Sequence, residues 1–220
     1  MPPPIAMFRD HRLFLREYLR HFHHTGAILP SSRSLGAALA RHVSDGNGDR
    51  RILEVGPGTG AVTRQIVSRL GHSDRLDLVE MNSAFVERLK HRFEREPPFA
   101  AVAQRVQIIH CPVQELPREQ PYDAIVSGLP LNNFSASDVE HLLDTMMRLL
   151  APGGTLSFFE YIGIRPARAI ISGRAERARL RGVGSALRAL LDGREFRRDW
   201  IWSNVPPAWV HHVRAERPTV

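Results

Sequence analysis

Three glycines within five positions, Gly56, Gly58 and Gly60, stand where a short apolar run gives way to a helical pattern. Lacking a Cβ, glycine lets the backbone turn sharply and approach a ligand closely. The helix that follows offers free N–H groups and a partial positive charge at its start. Such a loop needs a strand before it and a helix after it, and the sequence repeats that pairing. Residues 51–55 read as a strand and 61–70 as its helix, and 75–80 with 83–95 repeat the pair. Strands follow at 106–110 and 122–127, then a helix at 137–150. Pro152-Gly153-Gly154 turns the chain into a fifth strand at 155–161. Runs at 199–204 and 209–214 suggest a closing antiparallel pair. The alternation predicts an α/β fold, a mostly parallel seven-stranded sheet flanked by helices.

This domain is expected to span 45–220, with residues 1–44 as an N-terminal segment. Residues 5–23 predict an amphipathic helix. Phe8, Leu15, Tyr18, Leu19 and Phe22 fall on one side, and Arg9, Arg12, Arg16 and Arg20 line another. Such a helix either packs on the domain or lies in a membrane interface. Ser31 or Ser32 then caps a second helix running through Arg41. No apolar run is long enough to cross a bilayer, and the N-terminus lacks a secretory apolar stretch, so a cytoplasmic location is expected. The single cysteine, Cys111, excludes an internal disulfide and a cysteine-rich metal site; no metal is expected.

Residues 165–198 hold ten arginines against Glu176, Asp192 and Glu195, an excess equal to the net charge of +7 for the whole chain. A stripe of this kind is either a solvated helix face or a contact for phospholipid headgroups or nucleic acid. With Leu180, Val183, Leu187 and Leu191 at helical spacing, the stretch is also a candidate second membrane contact.

The glycine spacing alone is ambiguous, because Gly56-x-Gly58-x-x-Ala61 also fits a relaxed dinucleotide fingerprint. Glu54 lies two residues before the first glycine, and Glu80 ends the second strand, placed to accept from ribose hydroxyls. The run Glu54-Val55-Gly56-Pro57-Gly58-Thr59-Gly60 resembles the cofactor loop of class I S-adenosylmethionine-dependent methyltransferases, whose fold is Rossmann-like. That resemblance implies S-adenosylmethionine as cofactor and S-adenosylhomocysteine as product. It also implies cofactor contacts from Glu54, Gly56, Pro57, Gly58, Gly60, Glu80, Met81 and Ser127. His110-Cys111-Pro112-Val113 occupies the place where such enzymes hold adenine; the usual acidic residue is missing, which leaves Pro112 and Val113.

The loop Ser127-Gly128-Leu129-Pro130-Leu131 points to the methyl acceptor. In adenine-N6 methyltransferases the corresponding loop resembles Asn-Leu-Pro-Tyr, where asparagine and the aromatic ring hold an extruded base. Aligning Leu-Pro puts Gly128 at the asparagine and Leu131 at the aromatic. The backbone carbonyls of Leu129 and Pro130 remain to orient another kind of amine.

Together with Phe14-Leu15-Arg16-Glu17-Tyr18-Leu19, Thr25-Gly26-Ala27 and Pro30-Ser31-Ser32-Arg33, these motifs resemble the bacterial phospholipid N-methyltransferases. The likeness extends more weakly to Phe159-Glu160-Tyr161 and Pro206-Pro207. It implies stepwise methylation of phosphatidylethanolamine toward phosphatidylcholine, at the inner face of the cell membrane. The expected partners are the lipid and an anionic surface bound by the basic helix; no protein partner is indicated. Tyr18 is the expected catalytic and cation-binding residue, with Ser31, Ser32, Arg33, Leu129, Pro130 and Tyr161 in the substrate pocket. Nucleic acid is not expected, although an rRNA adenine dimethyltransferase is the nearest rival. A non-catalytic binding module on a vestigial fold is a second alternative.

Overall fold

Strand β1 (Arg51–Val55) buries Ile52 on one face and Leu53 and Val55 on the other, as a central strand covered by helices on both sides requires. The computed structural model describes residues 32–44, 48–162 and 173–216. The helix expected at 5–23, with Tyr18, and also Ser31, Arg165 and Arg168 lie outside the described residues.

The chain runs α1 (Arg33–Leu39), β1, α2 (Ala61–Val67), β2 (Arg75–Val79), α3 (Ser83–Arg95), a short α4 (Pro97–Ala100) and β3 (Val106–Ile109). It continues with β4 (Tyr122–Ser127), α5 (Ala136–Leu149), β5 (Leu150–Tyr161), α6 (Arg174–Leu191), β6 (Glu195–Ile201) and β7 (Ala208–Arg214). The seven strands form one sheet in the order β3-β2-β1-β4-β5-β7-β6, parallel except for β7, which runs antiparallel to β5 and β6. The fold is the Rossmann-like one expected. After β3 the chain returns to place β4 beside β1, pairing Val55 with Ser127. That reversal opens a crevice at the carboxyl ends of β1 and β4, where open α/β sheets bind ligands.

Two cores lie on opposite faces. Leu53, Val55, Ile125, Leu156 and Phe158 pack toward α5 and α6. Ile52, Leu76, Leu78, Val126 and Phe159 share the other core with Leu35 and Leu39 of α1 and Ile66 of α2. Each fully buried Leu, Ile or Phe contributes about 1.5–3 kcal/mol. Three helix starts are capped by side chains, the first of them by one of the two serines expected. Ser32 accepts from the Leu35 N–H at 3.1 Å, Asn82 from Ala84 at 2.9 Å, and Ser135 from Asp138 at 3.1 Å.

The structure departs from the expected elements in three places. Pro152-Gly153-Gly154 does not separate α5 from a later strand, because β5 begins at Leu150 and runs through the glycines. Gly153 takes φ +78°, and a Cβ on Gly154 would lie 2.9 Å from the Ala151 carbonyl oxygen, so the pair makes an irregularity inside the strand. The last hairpin starts at Glu195 rather than 199, just after the positive-φ turn at Gly193. Finally, Leu180, Val183 and Leu187 are all buried, Val183 and Leu187 in the core that α6 shares with α5, so this apolar stripe is not available as a second membrane contact. Among the described residues no helix is long and apolar enough to cross a membrane.

Candidate active site

The glycine loop leaves β1 at the crevice, with its first N–H, that of Gly56, donating to the Val79 carbonyl at 3.0 Å. Gly56, Gly58 and Gly60 take φ values of +69°, +55° and +81°, a region costly for residues with a Cβ. A side chain on Gly56 would strike Leu129, whose Cδ2 lies 2.5 Å from the place a Cβ would take. Above Gly58 the space is open, with nothing within 4 Å of such a Cβ. Pro57 holds the turn by accepting from the Gly60 N–H at 2.9 Å. Arg92 of α3 donates to the Thr59 carbonyl, fastening the loop from the side. Sequence reasoning missed Arg92, which is one of several arginines on an amphipathic helix.

Two carboxylates frame the loop. Glu54 is fully buried, and neither of its oxygens has a hydrogen-bond partner. The hydroxyl and N–H of Thr63 lie near enough to favour its charge without reaching hydrogen-bonding geometry. Burial dominates, pushing the Glu54 pKa up to about 8, with the negative charge of Glu80 adding to the rise. Glu80 sits one residue past the end of β2, and burial raises its pKa too. One of its oxygens accepts from the Gly58 N–H at 3.1 Å and the other from Asn82 at 2.8 Å. Beside it, the Nε2 of His110 pairs with the Met81 carbonyl at 3.0 Å, and the imidazole favours the charged form of Glu80. His110 lies in the run expected to hold adenine, but nothing in one sequence marks its contact with Met81. Pro112 is buried in extended backbone, and Val113 is buried in the core that includes Val79 and Leu131.

Across the crevice, Ser127 is fully buried and its Oγ accepts from the Leu129 N–H at 3.4 Å. Gly128 donates to the Val55 carbonyl at 2.9 Å, and its missing Cβ would lie 2.7 Å from the Gly56 carbonyl oxygen. The two glycine loops therefore touch through backbone. Pro130 and Leu131 are buried, and Leu131 belongs to the core. Arg179 of α6 donates to the carbonyls of Asn132 at 3.1 Å and of Phe134, anchoring the end of this loop.

The expected substrate residues are dispersed along the same rim. Ser32 spends its hydroxyl on capping α1, and its N–H donates to Asn204 at 3.1 Å. Arg33 is exposed beside it. Tyr161 ends β5 opposite Ala208, edge-on to Phe159 with ring centres 5.1 Å apart, and burial raises its phenol pKa. The phenol thus stays protonated near neutral pH and is not poised as a base.

An orphaned buried acid, an open cradle over Gly58 and a strand-end carboxylate fit a ligand with cationic and ribose groups. Such a fold and site define a class I S-adenosylmethionine-dependent methyltransferase, and the chain belongs to that family. Residues 52–154 match the methyltransferase domain model. The ornithine lipid N-methyltransferase of Singulisphaera acidiphila is 30% identical over 149 residues, covering 68% of this chain and 77% of that one. The O-methyltransferase TomG from Streptomyces achromogenes, solved with S-adenosylmethionine, superposes with a TM-score of 0.63 at 18% identity, over 89% of this chain and 86% of that one. An O-methyltransferase from Bacillus cereus, solved with S-adenosylhomocysteine, gives 0.64 at 16% identity, over 91% and 90%. The cofactor is S-adenosylmethionine, and its product S-adenosylhomocysteine.

Proposed function

We propose that this enzyme methylates the amine of a membrane lipid, phosphatidylethanolamine and its mono- and dimethyl forms, toward phosphatidylcholine at the membrane surface. The observation that carries this reading is the contact between Gly128 and Gly56. No side chain fits at 128 with the loops so packed, and Leu131 is turned into the core. The groups that would hold an extruded base are therefore absent, which weighs against the rRNA adenine reading. The likeness to an ornithine lipid N-methyltransferase supports an amine on a lipid.

When bound, S-adenosylmethionine supplies a methyl group on a sulfonium that is already a good leaving group. The residues of this chain then mainly position and exclude water. Glu54, Gly56, Pro57, Gly58, Gly60, Glu80, Met81 and Ser127 hold the cofactor side of the crevice, with Pro112 and Val113 beneath it. Leu129 and Pro130 form an apolar wall that strips water from the acceptor amine. Arg33, exposed at the rim, meets the lipid phosphate, and Tyr18 the ammonium headgroup.

The test is methyl transfer from labelled S-adenosylmethionine to liposomes containing phosphatidylethanolamine, to ornithine lipid, and to ribosomal RNA. Label in phosphatidylethanolamine, resolved into methylated products, supports the proposal. Label confined to ornithine lipid moves the acceptor to another lipid amine, and label in RNA alone overturns the lipid reading.

A further inference from the structure

All three tryptophans of the chain, Trp200, Trp202 and Trp209, fall on the β6–β7 hairpin. Among the described residues the large apolar side chains left exposed are also all here: Phe196, Trp200 at 53%, Trp202 at 64% and Val205 at 71%. Trp200 and Trp202 stack with ring centres 5.5 Å apart, and Trp209 meets Trp200 edge-on at 5.4 Å. The Arg198 guanidinium lies 5.8 Å from the Trp209 ring centre. Residues 194–214 carry four arginines against Glu195 and Asp199, a net charge of +2.

The place of this patch is as telling as its composition. Ile201 pairs with Ala208, and Ala208 with Tyr161, the last residue of β5. Residues 202–207 therefore leave the sheet at the end where β1 and β4 deliver the cofactor and acceptor loops. Asn204 in this connection also holds Ser32. Indole rings with an apolar body and a polar N–H favour the boundary between hydrocarbon and headgroup, and guanidinium groups beside them match phosphates. Pairing with a second copy along the edge strand is disfavoured, because β6 carries Arg197, Arg198 and Asp199 in succession.

We propose that Trp200, Trp202 and Val205 insert into the interfacial layer of a phospholipid leaflet, setting the mouth of the methyl-transfer site against the headgroups. The inference rests on the reading that the acceptor is a membrane lipid, but it is tested without methyl transfer. The full chain is mixed with vesicles of phosphatidylcholine, alone or with phosphatidylglycerol at about a third of the lipid to supply anionic phosphate; neither lipid offers an amine to methylate. Because every tryptophan is on the hairpin, intrinsic emission reports on it directly. A blue shift, with quenching by acyl-brominated lipid, is expected on binding. The variant V205D keeps all three tryptophans and changes an exposed residue; it should weaken vesicle partition about tenfold while leaving S-adenosylmethionine titration unchanged.

Binding with unshifted, unquenched emission would overturn the proposal and assign docking to another surface. No binding would overturn it as well, and so would self-association that V205D abolishes. Docking without lipid methylation would refute the function proposed above and leave the docking surface standing; methylation with no hairpin quenching would do the reverse.

Discussion

The carboxylate of Glu80 takes the Gly58 N–H at 3.1 Å, so the end of β2 fixes the middle of the cofactor loop, 22 residues away in sequence. Its second oxygen takes Asn82, whose side chain caps α3. One acid thus ties together the glycine turn and the start of the next helix. Replacing it by Gln sets an amide N–H₂ against one of these backbone donors. E80Q should bind S-adenosylmethionine about tenfold or more weakly, read by calorimetric titration; unchanged affinity would exclude Glu80 from the cofactor site.

Glu54 predicts a proton signature. With a pKa of about 8 it is about nine-tenths protonated at pH 7. A ligand whose positive charge stabilises the carboxylate must expel that proton. Cofactor binding at pH 7 should therefore release close to one proton, and almost none at pH 9.5, measured by calorimetry in buffers of different ionisation enthalpy. E54Q should remove the release; its persistence in that variant would locate the proton elsewhere.

The contact of Gly128 with Gly56 makes position 128 intolerant. G128A places a methyl carbon 2.7 Å from the Gly56 carbonyl oxygen unless the backbone moves. Destabilisation of about 1–3 kcal/mol is expected, together with weaker cofactor binding because the shift falls on the glycine turn. A thermal midpoint equal to wild type would show that the two loops part freely.

His212 gives the hairpin a dependence on pH. It is fully buried, with Ser157 Oγ 2.8 Å from its Nδ1, Asp199 Oδ2 3.3 Å from its Nε2, and the His42 ring 4.6 Å away between centres. Burial first, and the neighbouring His42 after it, push its pKa from 6.5 down to about 4. The unfolded chain therefore binds this proton more readily than the folded one. The stabilisation is complete above pH 6.5 and is lost as pH falls toward 4, by about 3 kcal/mol. His211, buried beside Glu195, has a pKa lowered in the same sense. Denaturant midpoints of wild type and H212N should converge on acidification through this window; parallel curves would mean that His212 titrates normally.

Much of this site was readable from residue order alone. Gly56, Gly58 and Gly60 reveal themselves because only a ligand-hugging turn needs three left-handed positions so close together. Glu54 and Glu80 follow from their distance to that turn. The strand pattern was legible where apolar runs were bounded by helices. It failed at Pro152-Gly153-Gly154, since a strand can absorb a glycine pair as an irregularity when a neighbouring strand holds both ends. The contacts of Arg92 with Thr59 and His110 with Met81 were not legible, because they join elements whose approach only tertiary packing sets. The arginine-rich stretch misled for a related reason: charge counted along the sequence says nothing of the buried stripe on the other side of the same helix.

The hydrogen bond from Ser32 to Asn204 spans 172 of the chain's 220 residues. It works as a clasp. The start of α1 is pinned to the rim of the crevice by the last hairpin, so the first described helix takes its bearing from the last two strands. A change in the six residues between β6 and β7 is therefore felt not only at the tip but also at the start of α1, and positions 32 and 204 can be expected to vary together.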